Sequence, residues 1–251
     1  KGTKVKILFV RAGVAQPIEK SITREVIDIP TIETEVKPGS TTASATGSSK
    51  YTGSGLRQDG IFVIKLFSFT AQSPDLFRKA LREFVESGSH KLILDLRGNP
   101  GGYLEAAWDM ASWFLPSGAP IVVEDFGGKR ADNTFRSKGY NIFGKDLKMI
   151  ILVDAGSASA SEILAGALQE HGVAKLVGTK TFGKGSVQEL IPITPDTSLK
   201  VTIARWLTPK GRNLSKDGLD PDVEVKLTPK DIETKSDVQM DKAVDLLKKE
   251  P

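Results

Sequence analysis

From Gly60 onward the spacing of apolar residues changes repeatedly, and each change marks an element. "GIFVIKLFSF" (60–69) is nearly continuous in apolar residues over the length of a strand. "SPDLFRKALREFVESG" (73–88) switches to helical spacing, opened by Ser73 and Pro74 and closed by Gly88. "HKLILDLR" (90–97) predicts a strand, "GNPGG" (98–102) a turn, and "YLEAAWDMASWFL" (103–115) a helix. "KMIILVD" (148–154) is apolar without alternation, as in a strand buried on both faces. "SASEILAGALQEHG" (159–172) predicts a helix, "AKLVG" (174–178) and "SLKVTIARWLTP" (198–209) strands, and "VQMDKAVDLLKK" (238–249) a short amphipathic helix. Strands alternating with helices predict a layered α/β core over 59–228, with a helical tail over 229–251.

The front of the chain is patterned differently. "KVKILFVRAG" (4–13) and "REVIDIPTIETEV" (24–36) predict a β-rich segment over 1–36. "GSTTASATGSSKYTGSG" (39–55) is Gly, Ser, Thr and Ala apart from Lys50 and Tyr51. Such a stretch cannot bury a core, so 37–58 is expected to be a flexible loop.

Composition then removes several kinds of chemistry. The net charge of +4 comes from scattered Lys and Arg, with no basic stripe for nucleic acid. No apolar run has the length of a membrane span, and no signal-like segment opens the chain, so the expectation is either a cytosolic protein or one whose leader has been removed. Without Cys there are no disulfides, thiolate nucleophiles or zinc-thiolate sites. Only two His are present, His90 and His171, and His171 sits where a helix should stop before Gly172. Nucleophilic catalysis here therefore calls for a base other than His.

Two junctions carry candidate chemistry. "GTKTFGKGSVQ" (178–188) fits most of the phosphate-binding pattern G-x-x-x-x-G-K-[ST], but Gly185 stands where the magnesium-binding hydroxyl belongs, and β-rich "SVQELIPIT" follows where a helix is required. Upstream, "ILVDAGSASASEILAGAL" takes a buried strand through small residues directly into a helix. Ser159 to Glu162 there spells a capping box, which alone would explain both residues. The same geometry would expose Ser159 at the end of a strand and turn the Ala160 N–H toward an incoming carbonyl oxygen.

Lys184 is the available base, because Ser-Lys pairs replace Ser-His in unrelated hydrolases. A lysine at its ordinary pKa of about 10.4 is neutral about once in 2,500 at pH 7, so the role demands about 4 to 5 kcal/mol of desolvation or positive neighbours. On a strand, residues 184, 186 and 188 would share one face, which would let Gln188 orient Lys184. The "GNPGG" turn offers N–H groups at Gly101 and Gly102 for an anion nest, whereas Pro100 has none; Asp95 and Arg97 beside it could simply form an ion pair.

"LILDLRGNPGGYLEAA", "VDAGSASASEILAGAL", "GTKTFGKGSVQ", "ARWLTPKGRNL" and "GLDPDVEV", in that order, closely resemble the carboxyl-terminal processing (tail-specific) proteases over about residues 60–250. The resemblance implies a ClpP/crotonase-like α/β core and a serine endopeptidase that cuts protein substrates near their carboxyl termini. It places the nucleophile on Ser159, the general base on Lys184, a helper on Gln188, and oxyanion donors on the N–H of Ala160 and of Gly101 or Gly102. It implies no metal or organic cofactor, protein or peptide substrates, and export to the bacterial periplasm or cell envelope. Assembly into a homo-oligomer stays open. "KGTKVKILFVRAG" resembles only the last strand of the PDZ domain that precedes the family core, and "SITREVIDIPTIETEV" the connecting segment. A non-catalytic peptide-binding or scaffolding module on the same core is the alternative. A crotonase-like acyl-CoA enzyme is a third reading, with no visible adenine or pantetheine site.

Overall fold

A computed structural model describes residues 1–11, 13–26, 30–34 and 55–249. The expected Gly/Ser/Thr-rich loop lies outside these residues except for positions 55–58. In chain order, β1 (Lys4–Phe9) and β2 (Ile18–Thr23) precede β3 (Ile32–Thr34) and β4 (Ile61–Leu66). Helix α1 (Ser73–Glu86), β5 (Lys91–Asp95) and α2 (Leu104–Ser112) follow, then β6 (Pro120–Asp125), β7 (Asn133–Arg136) and β8 (Lys148–Val153). Helix α3 (Ala160–Glu170) leads to β9 (Ala174–Gly178) and to a long hairpin of β10 (Ser186–Thr194) and β11 (Thr197–Leu207). Short elements α4 (Leu214–Asp217), β12 (Val223–Glu224) and α5 (Pro229–Thr234) come before the terminal helix α6 (Val238–Lys249).

Six strands form the central sheet in the order β12-β9-β8-β5-β4-β3, parallel except where β3 runs against β4. Its apolar runs are continuous because each face has its own cover. Met149, Ile151 and Val153 of β8 point into the large core under α1, α2 and α3. Ile150 and Leu152 point the other way and pack with Ala243, Val244 and Leu247 of α6. Burying each such Ile or Leu side chain stabilises the fold by about 1.5 to 3 kcal/mol. The tail helix is thus half of the sheet's covering.

A second, antiparallel sheet runs β10-β11-β6-β7. Two of its strands, β6 and β7, were not anticipated from sequence; β6 joins β11 through pairs such as Trp206 opposite Glu124, and β7 pairs with β6. Helix α2 stops at Ser112, three residues short of expectation, as suits a chain about to meet Pro116.

The amino-terminal segment is β-rich, as expected, with one strand that no apolar pattern marks. β1 pairs antiparallel with β2, Lys4 opposite Thr23 and Phe9 opposite Ile18, although "IEKSIT" carries little apolar signal. Five of its six residues are exposed, so strand pairing rather than core burial forms it. Within the β-rich stretch expected over 24–36, the described residues contain β3, which edges the central sheet; 27–29 and 35–36 lie outside the described residues.

The carboxyl ends of β5 and β8, the start of α3 and the segment after β9 converge at one end of the sheet. In open parallel sheets that is where ligands bind.

Candidate active site

Ser159 is the residue before α3, and its backbone is unusual: φ is +57° and ψ −117°. A non-glycine residue in that region costs of the order of 1 to 3 kcal/mol, so its surroundings must enforce it. The restraints are visible. The Ser159 N–H donates to Glu162 Oε2 at 2.9 Å, one half of the expected capping box. The Ala158 N–H donates to the Asn99 carbonyl at 3.0 Å, and Ser161 Oγ donates to the same carbonyl at 2.9 Å. Ser157 Oγ donates to the Leu96 carbonyl at 2.8 Å. The turn that presents Ser159 is therefore bonded on both sides to the turn after β5.

Asn99, fully buried, is the strut of that second turn. Its Nδ2 donates to the Leu66 carbonyl at 2.7 Å, and its Oδ1 accepts from the Gly101 N–H at 2.9 Å. This divides the two candidate oxyanion glycines. The N–H of Gly101 is committed, whereas among the described residues that of Gly102 has no hydrogen-bond partner. Phe69, which bridges to Gly102, bonds only to its neighbours: its N–H donates to the Gly101 carbonyl and its carbonyl accepts from Tyr103. Gly101 is nevertheless indispensable for packing. At its φ of +93°, a Cβ would lie 2.5 Å from the Ala158 carbonyl oxygen and 2.8 Å from Ser159 Cβ.

Glu162 is the residue whose importance the sequence understated. It is fully buried, and its two oxygens accept four hydrogen bonds. Beyond Ser159, the donors are Thr181 Oγ1 at 2.5 Å, the Gly183 N–H at 2.8 Å and the Lys184 N–H at 2.9 Å. A buried carboxylate is tolerable only when bonded in this way. The outcome is a single side chain holding the main chains of Ser159 and Lys184 together. A capping box accounts for the bond to Ser159; the bonds to 181–184 come from a segment that folding alone brings near.

Lys184 is held only through its backbone. Gly185 beside it accepts a hydrogen bond from the Trp206 N–H at 2.6 Å and packs against Leu214 and Ser215, where a Cβ would come within 2.4 Å of Ser215 N. The side chain of Lys184 is exposed, as is Gln188. Among the described residues no hydrogen bond joins Ser159 Oγ to Lys184 Nζ, or Gln188 to Lys184. The expected alternation through 184, 186 and 188 fails because β10 begins only at Ser186 and Lys184 precedes it in an irregular segment. That β10 follows Lys184, and not a helix, also removes the phosphate-loop reading.

Asp95 and Arg97 do form the ion pair, through Arg97 Nη2 and Asp95 Oδ2 at 2.8 Å. Arg97 also reaches Asp237 at 2.7 Å and Gln239 at 3.1 Å, which fastens the start of α6 to the turn before Asn99. Burial, the largest single influence, would raise the Asp237 carboxyl, but the hydrogen bonds from Arg97 and the Met240 N–H, together with the charges of Arg97 and Lys65, hold it below its usual range. His171 caps α3 and places Nε2 2.7 Å from the Pro120 carbonyl oxygen, which is a structural role.

Comparison with known proteins places the chain in a family. A carboxyl-terminal-processing protease from Synechocystis sp. is 33% identical over 98% of the chain and 54% of its own length. The carboxy-terminal processing protease CtpB of Bacillus subtilis is 31% identical over 90% of the chain and 43% of its own length. The chain thus spans about half the length of these relatives. The solved structure of the photosystem II D1 C-terminal processing protease superposes with a TM-score of 0.70, at 25% identity, over 92% of the chain and 58% of its own. The family model for peptidase family S41 matches residues 60–225, and the chain belongs to that family.

Proposed function

We propose that the chain is the proteolytic core of a carboxyl-terminal processing peptidase, with Ser159 as nucleophile and Lys184 as general base. One observation carries this reading: the N–H groups of Ser159 and Lys184 donate to the same oxygen of Glu162, each at 2.9 Å. That shared acceptor fixes both main chains beside each other, as a dyad requires.

In the mechanism Lys184 Nζ takes the Ser159 hydroxyl proton as Oγ bonds to the scissile carbonyl carbon. The N–H groups of Ala160 and Gly102 hold the resulting oxyanion, aided by the start of α3. Support for Gly102 over Gly101 is that Asn99 already occupies the Gly101 N–H. Lys184 returns the proton to the departing amine, and a water, deprotonated in the same way, hydrolyses the ester. Gln188 is assigned to orienting Lys184 once substrate is bound. The substrates are protein chains cut near their carboxyl ends. The Synechocystis and Bacillus subtilis relatives are bacterial proteins, and among the described residues no helix is long and apolar enough to cross a membrane. Export to the bacterial envelope completes the reading.

The test is cleavage of an unfolded protein by the chain and by its Ser159→Ala and Lys184→Ala variants, followed by mass spectrometry. Each variant is expected to lose about a thousandfold or more in turnover. Cleavage undiminished in Lys184→Ala would remove the base assignment. A second reading, a peptide-binding module without catalysis, draws on the exposed Lys184 and its lack of a bond to Ser159. A fluorophosphonate separates the two, because only the peptidase is labelled at Ser159.

A further inference from the structure

The strand that follows Lys184 is an unpaired edge. Among the described residues, β10 lies at the margin of its sheet and pairs only with β11. From Gln188 to Thr194 every residue is exposed, and Leu190 and Ile193 are 65% and 63% accessible. An exposed apolar edge is a ready template for another extended chain. The opposite edge of the sheet is shielded: β7 has only four residues, and the indole N–H of Trp108 donates to the carbonyl of Arg136.

The orientation of the free backbone groups follows from register. The Trp206 N–H donates to the Gly185 carbonyl, so Gly185 faces β11. Successive residues of a strand turn their main-chain groups to alternate sides. Those of Ser186, Gln188, Leu190 and Pro192 therefore face away from β11. The shift after Val187 skips Ile203 on β11 and leaves the alternation of β10 intact. Pro192 provides a check, because a residue without an N–H belongs at an outward position where no ladder bond is lost.

We infer that the polypeptide substrate binds by adding an extended strand to this edge, exchanging main-chain hydrogen bonds with Ser186, Gln188 and Leu190. The inference rests on the peptidase reading and specifies how that site takes its substrate. The occupant is argued from continuity: the edge begins two residues after Lys184, whose exposed side chain a chain laid along β10 would cover. Phe182, 66% accessible on the other side of Lys184, extends the apolar surface. Recognition through the main chain tolerates many sequences. A strand laid along β10 would also draw water away from the exposed Lys184 side chain.

Residue-resolved amide exchange tests this on the Ser159→Ala chain, with and without carboxymethylated α-lactalbumin, an unfolded protein. Slowed exchange is expected at Ser186, Gln188 and Leu190 and not at Val187 and Glu189, whose N–H groups already face β11. The wild-type chain is assayed for cleavage of the same protein in parallel. Cleavage without protection of the three amides overturns the edge and leaves the peptidase intact. Neither cleavage nor binding overturns both. Protection that appears without added protein and grows with chain concentration assigns the edge to a second copy, and also overturns the proposal.

Leu190→Pro removes one outward N–H while sparing the ladder to β11. It is expected to raise KM for the unfolded protein about three- to tenfold, with fluorophosphonate labelling of Ser159 unchanged. Leu190→Ala, which keeps that N–H, should change KM less. Equal effects of the two variants would overturn main-chain recognition. If Leu190→Pro also loses labelling, the exchange measurement, which alters no residue of β10, decides.

Discussion

The two halves of the site are built to different standards. Around Ser159 the chain is over-determined: a strained backbone is held by Glu162, Asn99 and three neighbouring serine and alanine groups, all in a buried shell. Around Lys184 only the main chain is fixed, and the side chain is exposed. A nucleophile and its oxyanion donors must be positioned before reaction, since reorganising them during it would raise the barrier. A lysine base has a different need, loss of water, and a surface that substrate covers can supply that on binding. On the proposed dyad assignment, the difference teaches that folding alone orders the nucleophile half, whereas the lysine half keeps an exposed side chain that bound substrate would cover.

The strongest challenge to this contrast is Glu162→Gln, because Glu162 belongs to both halves. The amide presents a donor where at least one N–H or O–H now donates, leaving buried groups unmatched. Turnover is expected to fall about a hundredfold or more and stability by about 2 to 4 kcal/mol, read by steady-state cleavage and thermal melting. A variant as active as the parent would show that the halves do not depend on their shared acceptor. Gly101→Ala tests the nucleophile half alone. The added methyl would press on the Ala158 carbonyl and on Ser159 at a φ that alanine disfavours. A loss of about a hundredfold in kcat is expected, comparable to losing one oxyanion donor, with less effect on KM. Equal loss in kcat and rise in KM would mean that substrate binding depends on this turn as well.

The smallest effect sharpens the contrast from outside the site. Asp237→Asn weakens the fastening of α6 to Arg97 and should cost about 1 kcal/mol at neutral pH, allowing for solvent screening of a carboxylate that is 45% exposed. Because the folded carboxyl lies below its unfolded value, its contribution is present above about pH 4 and is lost as pH falls through the folded value. The difference in melting temperature between parent and variant should therefore be greatest at neutral pH and vanish in acid. Turnover should stay within about twofold, since the substitution lies outside the dyad. A larger drop would show that α6 helps to set the Asn99 turn.

Elements buried on both faces were legible from the chain alone. "KMIILV" and "KLILD" carry their own signal because a two-sided core demands continuous apolar residues. β2 was not legible: "IEKSIT" is set by pairing with β1 and buries almost nothing. The same holds for β6 and β7, which are defined by their partners across the sheet.

In the site, the sequence by itself determined the strand-to-helix turn at Ser159, the Gly-rich turn after β5, and the lysine between two glycines. These are local requirements, of backbone conformation and helix capping, and local requirements leave local patterns. Only the tertiary structure decided that Glu162 serves two segments, that Lys184 precedes its strand and that, among the described residues, Gly102 and not Gly101 keeps a free N–H and β10 is an open edge. Each of those depends on which distant segment arrives at a given hydrogen-bonding group. A residue's own neighbours do not record who its partner across the fold will be.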